Sequence, residues 1–291
     1  MLGVVNLDKP VGVTSHDMVG LLRRLTGMRR IGHAGTLDPL ASGVLPVLVG
    51  PATRFSEELT GGRKRYTATV RFGIRSLTDD AEGPLTPSHA PLPDHDAIDA
   101  ALTTQRGTFD QRPPVFSARK QGGQTAHRAA RAGAPLDLPS RAVTVERLDL
   151  LGVAEGDGWL DAELDVVCGA GTYIRSIARD LGDQLGCGAH LHALRRLEAA
   201  GLRAEDAHTP AQLEQMATAG DLERAIIPIT DLLPFARLVV DGRAFLHGSL
   251  TELAATEPDG RRVVLDADGR LLGIGTVTAG RLQPEKVLGG A

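Results

Sequence analysis

From Leu2 to Leu7 the chain is almost wholly apolar, which predicts a short buried strand. A turn at Lys9-Pro10-Val11-Gly12 leads to Ser15, placed as an N-cap, and Met18, Val19, Leu22 and Leu25 then recur at helical spacing until Gly27. Ile31 to Gly43 has three glycines, a proline and neither period, so it reads as a loop before the apolar run Val44 to Val49. Arg63 to Phe72 alternates cleanly. Tyr66, Ala68, Val70 and Phe72 share one face, and Arg65, Thr67, Thr69 and Arg71 the other, as in a half-exposed strand.

A helix is predicted from about Asp94 to Thr104, and another near Thr125 to Arg131 follows the basic, glycine-rich stretch Arg119-Lys120-Gln121-Gly122-Gly123. Residues from about 107 to 135 therefore read as a mobile basic arm. Strands near Val143–Val153 and Leu160–Cys168 come next, with Trp159 at the entrance of the second. Gly169-Ala170-Gly171-Thr172 then opens a helix bearing Ile174, Ile177, Ala178, Leu181 and Leu185. Beyond Pro234, short strands at Leu238–Val240, Arg262–Leu265 and Leu271–Val277 suggest a separate all-β module, dividing the chain into 1–233 and 234–291.

Composition narrows the class. Of 291 residues 42% are hydrophobic, 23% charged and 3% aromatic, and 35 Gly and 17 Pro favour turns over a helical bundle. No apolar run approaches the ~18 residues of a membrane span, so the reading is a cytoplasmic protein with no membrane association. Cys168 and Cys187 match no zinc or redox spacing and read as reduced and structural. The net charge of −4 is unevenly spread: residues 1–75 hold 11 Lys plus Arg against 5 Asp plus Glu, and residues 101–150 hold 8 against 4. Folding could bring these two basic blocks onto one face, as contact with nucleic acid requires.

One loop stands out chemically. Gly32-His33-Ala34-Gly35-Thr36-Leu37-Asp38-Pro39-Leu40-Ala41-Ser42-Gly43 sets a single carboxylate among small residues, where a ligand could approach the backbone. Local pattern alone makes Asp38 a cap for the turn before Pro39, and His33 a local hydrogen-bonding residue. Asp79-Asp80-Ala81-Glu82-Gly83 lacks the ligand alternation of a calcium loop and reads as a solvated turn. His190 and His192 have no third ligand at a recognisable spacing, so zinc is not expected.

Five ordered blocks carry a family resemblance. These are Asn6-Leu7-Asp8-Lys9-Pro10, the loop from Gly32 through Pro46, Lys64-Arg65-Tyr66, Gly171-Thr172-Tyr173-Ile174-Arg175-Ser176, and Gly186-Cys187-Gly188-Ala189-His190 with Leu194-Arg195-Arg196-Leu197. Together they resemble the TruB family of bacterial tRNA pseudouridine-55 synthases. The resemblance implies an α+β fold with a mixed, largely antiparallel central sheet, flanking helices and a small C-terminal PUA-like β-barrel. It also implies isomerisation of one uridine in the TΨC arm of tRNA by a single chain acting as a monomer, with no protein partner required and without metal or cofactor.

The resemblance implies site roles too. The residue matching Asp38 is the essential carboxylate, Arg175 pairs with it, and Tyr66 packs on the target base. A guanidinium beside a buried carboxylate favours its ionised form. Extruding the nucleotide leaves a gap, which the residue matching His33 fills, while Leu194 belongs to the apolar pocket. Lys9 and Lys64 read as phosphate contacts or as solvated charges, and Arg119 and Lys120 as part of the arm's grip on RNA. Phe116 and His127 stand where the family commonly has tyrosine. Two other classes compete: a noncatalytic RNA-binding or tRNA-folding factor using the same cleft, and a glycoside hydrolase, which normally needs two facing carboxylates.

Overall fold

A computed structural model describes residues 1–117, 119–254 and 256–288. In chain order the first strands are β1 (Gly3–Lys9), β2 (Ile31–His33), β3 (Ala41–Val49), β4 (Lys64–Phe72), β5 (Ile74–Ser76), β6 (Leu85–Pro87) and β7 (Gly107–Gln111). They are followed by β8 (Lys120–Gln121), β9 (Gln124–Thr125), β10 (Arg141–Gly156), β11 (Trp159–Cys168), β12 (Ala189–Ala199), β13 (Leu202–Arg203) and β14 (Ile226–Ile227). Helices α1 (Ser15–Thr26), α2 (Ser56–Thr60), α3 (His95–Thr103), α4 (Ala126–Arg131), α5 (Ile174–Gln184) and α6 (Pro210–Ala219) lie among them.

Ten strands form one sheet whose main path runs β14-β1-β3-β12-β4-β11-β10-β7, with β2 and β13 paired at its flank. Every pair is antiparallel except β3 with β12, so the sheet is mixed and largely antiparallel. The alternation read in β4 is realised, with Tyr66, Ala68, Val70 and Phe72 buried against α5 and its neighbours. Lys64 shares that buried face. Among the described residues no helix is long and apolar enough to cross a membrane.

Local chemistry fixes the ends of α1, though not as expected. Thr14, rather than Ser15, is the N-cap: its hydroxyl accepts from Asp17 N at 3.1 Å, and the Asp17 carboxylate accepts from Thr14 N at 2.8 Å. Ser15 is thereby released for another task, described below. Gly27 closes the helix with φ +69°.

The remaining elements are β15 (Ala236–Val239), α7 (Gly242–Leu246), β16 (Thr251–Glu252), β17 (Gly260–Leu265), β18 (Leu271–Thr278) and β19 (Arg281–Val287). They pair in the order β15-β17-β18-β19-β16, which is open among the described residues. Two expectations change here. The unit contains a helix, and it is not separate: Val263, Leu265 and Ile274 share one apolar cluster with Val4, Phe55 and Leu59. Lys286 and Arg261 add ion pairs to Glu58 of α2 at 3.0 and 3.2 Å.

The basic arm likewise begins inside the sheet, as edge strand β7, before the β8–β9 hairpin and α4. Ala126 N donates to Arg119 O at 2.7 Å, and His127 N to Ser117 O at 3.0 Å, folding the hairpin back on itself.

Candidate active site

The Asp38 loop is held by its backbone. Ser15 Oγ donates to Leu37 O and accepts from Leu37 N, both at 2.9 Å. On the other side of Asp38, Pro39 O accepts from Gly12 N at 2.8 Å and from Lys9 Nζ at 3.4 Å. Arg196 Nη2 donates to Gly35 O at 3.0 Å, and Ala34 N to Pro46 O at 2.9 Å. These tethers leave the Asp38 side chain free to face outward, 40% exposed. Gly43 permits the close approach of β3 to β12: its φ is +101°, and a Cβ there would lie 2.1 Å from Arg196 O.

Arg175 reaches Asp38 from the first turn of α5. Its Nε lies 3.0 Å from Asp38 Oδ2, a close ion pair whose N–H does not point along a hydrogen bond. The rest of the guanidinium is committed elsewhere. Nη1 meets Asp80 Oδ2 at 3.1 Å and Thr78 O at 3.2 Å, and Nη2 donates to Phe116 O at 3.0 Å. The start of α5 is itself clamped by Gln111, which accepts from Tyr173 N at 2.8 Å and donates to Tyr173 O at 3.1 Å.

Sequence reasoning misjudged this network. The acidic segment is not a solvated turn, because Asp80 is almost wholly buried and Asp79 pairs with Arg179 at 3.0 Å. Glu82 is exposed, yet its carboxyl is raised above the ordinary range by partial burial and by the charges of Asp80 and Asp38. Phe116 also touches the site, through its carbonyl. A run of carboxylates placed ahead of an arginine-bearing helix was the available signal, but pairing across 95 residues is not a local pattern.

Asp38, Tyr66, Leu194 and Arg175 line one cavity of about 300 Å³, at the lower end of the range for small-molecule sites. Thr36, Tyr173 and Arg196 join them, and none of these three was singled out beforehand. Burial pushes the Tyr66 phenol up to about 12, against the pull of the nearby Arg196 charge. The cavity thus offers one accessible carboxylate, a neutral phenol, apolar walls and three cationic side chains, Lys64, Arg175 and Arg196. That set suits a planar polar ring brought beside a carboxylate.

Other expected residues fall differently. Lys9 is neither a phosphate contact nor a solvated charge: it is buried, and its Nζ donates to Pro10 O, Val13 O and Pro39 O. Burial lowers its pKa, opposed by Glu82 and Asp38. Lys64 is also enclosed, donating to Thr60 O and Gly62 O, although it does line the cavity. His33 ends β2 outside the cavity lining, half-buried, with Nδ1 lacking a partner among the described residues. Its pKa is lowered, by burial first and then by Arg196. Arg119 is half-buried in the arm, and the side chain of Lys120 lies outside the described residues.

The comparisons agree with one another. Residues 23–174 match the profile of the TruB family pseudouridylate synthase N-terminal domain, and residues 175–234 that of the tRNA pseudouridylate synthase B C-terminal domain. A tRNA pseudouridine synthase B from Burkholderia pseudomallei (strain 668) is 41% identical, over 98% of this chain and 96% of that protein. One from Synechococcus sp. (strain WH7803) is 43% identical, over 98% and 97%. Among solved structures, a chain of a Cbf5-Nop10-Gar1 complex superposes with a TM-score of 0.70 at 26% identity, covering 98% of this chain and 84% of that one. A chain of an H/ACA RNP bound to a substrate RNA containing 2′-deoxyuridine gives 0.73 at 25% identity, covering 99% and 85%.

Proposed function

This chain belongs to the TruB family of pseudouridylate synthases, and on that premise we propose that it isomerises the uridine of the tRNA TΨC arm to pseudouridine, with Asp38 as the reacting carboxylate. The observation that carries the reading is the Asp38–Arg175 pair, 3.0 Å apart at an open cavity.

The reaction needs little apparatus. The bond from C1′ to N1 breaks, the base turns, C5 bonds to C1′, the C5 proton leaves and N1 gains one. Asp38 acts on the sugar or base as nucleophile, or takes a sugar proton, and Arg175 holds it in place. Tyr66 and Leu194 form the walls for an extruded ring. His33 fills the space the nucleotide vacates, and its place beside rather than in the cavity suits that role. Arg119 and Lys120 grip the RNA from the arm, and residues 234–291 add a PUA-like RNA-binding unit to the catalytic unit 1–233. We read the enzyme as a monomer acting in the cytoplasm.

The test is release of tritium from carbon 5 of labelled uridine in an unmodified tRNA transcript, beside a transcript with cytidine at the target position. The wild type releases tritium from the first only. Asp38→Asn releases none, yet binds the TΨC stem-loop within about tenfold, since only an ionised group is lost. Release by the variant at the normal rate refutes the assignment. A wild type that binds but never releases tritium would instead be a noncatalytic RNA-binding factor.

A further inference from the structure

Arg196 is only 1% exposed, and among the described residues its guanidinium forms no ion pair. Nε donates to Val44 O at 2.7 Å and Nη2 to Gly35 O at 3.0 Å. Those carbonyls satisfy two N–H directions without neutralising the charge. Nη1 lies at Gly35, where a Cβ would come within 3.5 Å of it, and the guanidinium also stands beside the neutral Tyr66 phenol, which does not cancel its charge either. Lys64 approaches the same glycine, its Cε 3.8 Å from where that Cβ would sit; it is 8% exposed, and among the described residues its ammonium donates to the Thr60 and Gly62 carbonyls. Both side chains line the cavity that contains Asp38.

Two like charges enclosed together are costly unless an anion joins them. The cost shows in Lys64, whose pKa is lowered by burial and then by the Arg196 charge. A neutral amide could hold the Gly35 and Val44 carbonyls equally well, so clamping the loop does not account for a cation. The surroundings of Arg175 differ, because Asp38 and Asp80 together leave it one negative charge in excess. Within one cavity lining, Arg175 is therefore neutralised while Arg196 and Lys64 are not.

We propose that Arg196, supported by Lys64, is a further catalytic residue that holds the negative charge developing on the uracil ring during isomerisation. The inference rests on the reaction proposed above. When the C1′–N1 bond breaks, its electron pair stays with the base and spreads over N1, O2 and O4. Addition of Asp38 to the ring would also place negative charge on the base, so the requirement does not depend on the route. A fixed cation whose own side chain is buried stabilises such charge more than it does a neutral base. The charge is discharged when C5 bonds to C1′, the C5 proton departs and N1 is protonated.

The experiment compares Arg196→Gln with wild type in single-turnover reactions on the TΨC stem-loop. One substrate carries uridine and the other 5-fluorouridine, whose base is more acidic and needs less help as an anion. Loss of the starting nucleoside is followed by chromatography after nuclease digestion. The expected result is a loss of about 10²–10³-fold with uridine, as for removal of an oxyanion donor, shrinking at least about tenfold with 5-fluorouridine. RNA affinity should stay within about threefold. Lys64→Gln, which leaves the Arg196 clamp in place, should lose about tenfold with the same dependence on the base, and it decides the matter if Arg196→Gln does not fold. Equal losses on both substrates, or a loss found wholly in RNA affinity as a phosphate contact would give, overturn the proposal. Failure of wild type to convert uridine at all would instead sink the reaction on which it rests.

Discussion

Replacing Asp80 by asparagine keeps its shape and removes one charge from the Arg175 network. The geometry leaves the new amide nowhere to turn. Asp80 Oδ2 faces Arg175 Nη1 at 3.1 Å, while Oδ1 accepts from Thr78 Oγ1 at 2.6 Å and from Glu82 N at 3.1 Å. Whichever oxygen becomes NH2, it confronts an N–H donor. Breaking a buried ion pair from one side costs about 3–5 kcal/mol, and Asp38 remains as a second anion, so the lower end, about 3 kcal/mol, applies. At about 2–4 °C per kcal/mol, the melting temperature should fall by roughly 6–12 °C.

Activity should fall as well. Relieved of Asp80, Arg175 can turn wholly onto Asp38 and align a hydrogen bond that it now lacks, displacing the carboxylate from the nucleotide. A misplacement on the order of 1 Å costs roughly 10²-fold in rate. Thermal melting and single-turnover tritium release measure the two effects separately. Asp38→Asn is the contrast: its side chain is 40% exposed, so the pair is worth at most about 1 kcal/mol to stability, although turnover disappears. If Asp80→Asn melted with wild type, or Asp38→Asn melted below it, Asp80 would not be the anchor of Arg175.

Three further outcomes rest on close approach and burial elsewhere in the fold. Gly43→Ala should cost about 3 kcal/mol, because its Cβ would collide with Arg196 O and force β3 from β12; an unchanged melting temperature would contradict the packing described here. With the Tyr66 phenol at about 12, the single-turnover rate should show no phenolate-driven rise between about pH 7 and about pH 10, and a rise lost in Tyr66→Phe would show that the ring ionises. Burial lowers the pKa of His190, so between its folded value and an unfolded value of about 6.5 the unfolded chain binds more protons. Stability should be full above about pH 6.5 and decline as pH falls, with a shallower decline in His190→Gln; equal slopes in melting experiments would discount that histidine.

How far the sequence could be read depended on the range of the interactions. Helix α1, strand β4 and helix α5 announced themselves because their periods are local, and Asp38, Tyr66, Arg175 and Leu194 were legible through ordered motifs. Strand β12 was missed, though it lies between β3 and β4 at the middle of the sheet. Its sequence, AHLHALRRLEA, buries a histidine and an arginine where a central strand is expected to be apolar. Its register also shifts against β4, once between Leu191 and Ala193 and once between Arg196 and Glu198, which erases a simple alternation. Asp80 and Lys9 were misjudged for a related reason. A charged residue reads as solvated unless its buried partners are visible, and those partners came from other elements.

The way Asp38 is held explains why its loop is rich in small residues. Every tether found around it ends on main chain: Ser15 on Leu37, Lys9 on Pro39, Arg196 on Gly35. Held through side chains, the loop would crowd the space a nucleotide needs. Held through peptide groups, it keeps its backbone fixed while, among the described residues, the carboxylate pairs with Arg175 alone. Such preorganisation favours a reacting geometry without adding contacts that would bind substrate and transition state equally. Substitutions of these tethers should therefore register in the bond-making rate more than in RNA affinity. Substitutions at the RNA contacts proposed for the arm should do the reverse, weakening binding in a salt-dependent way while leaving the chemical step of bound RNA intact.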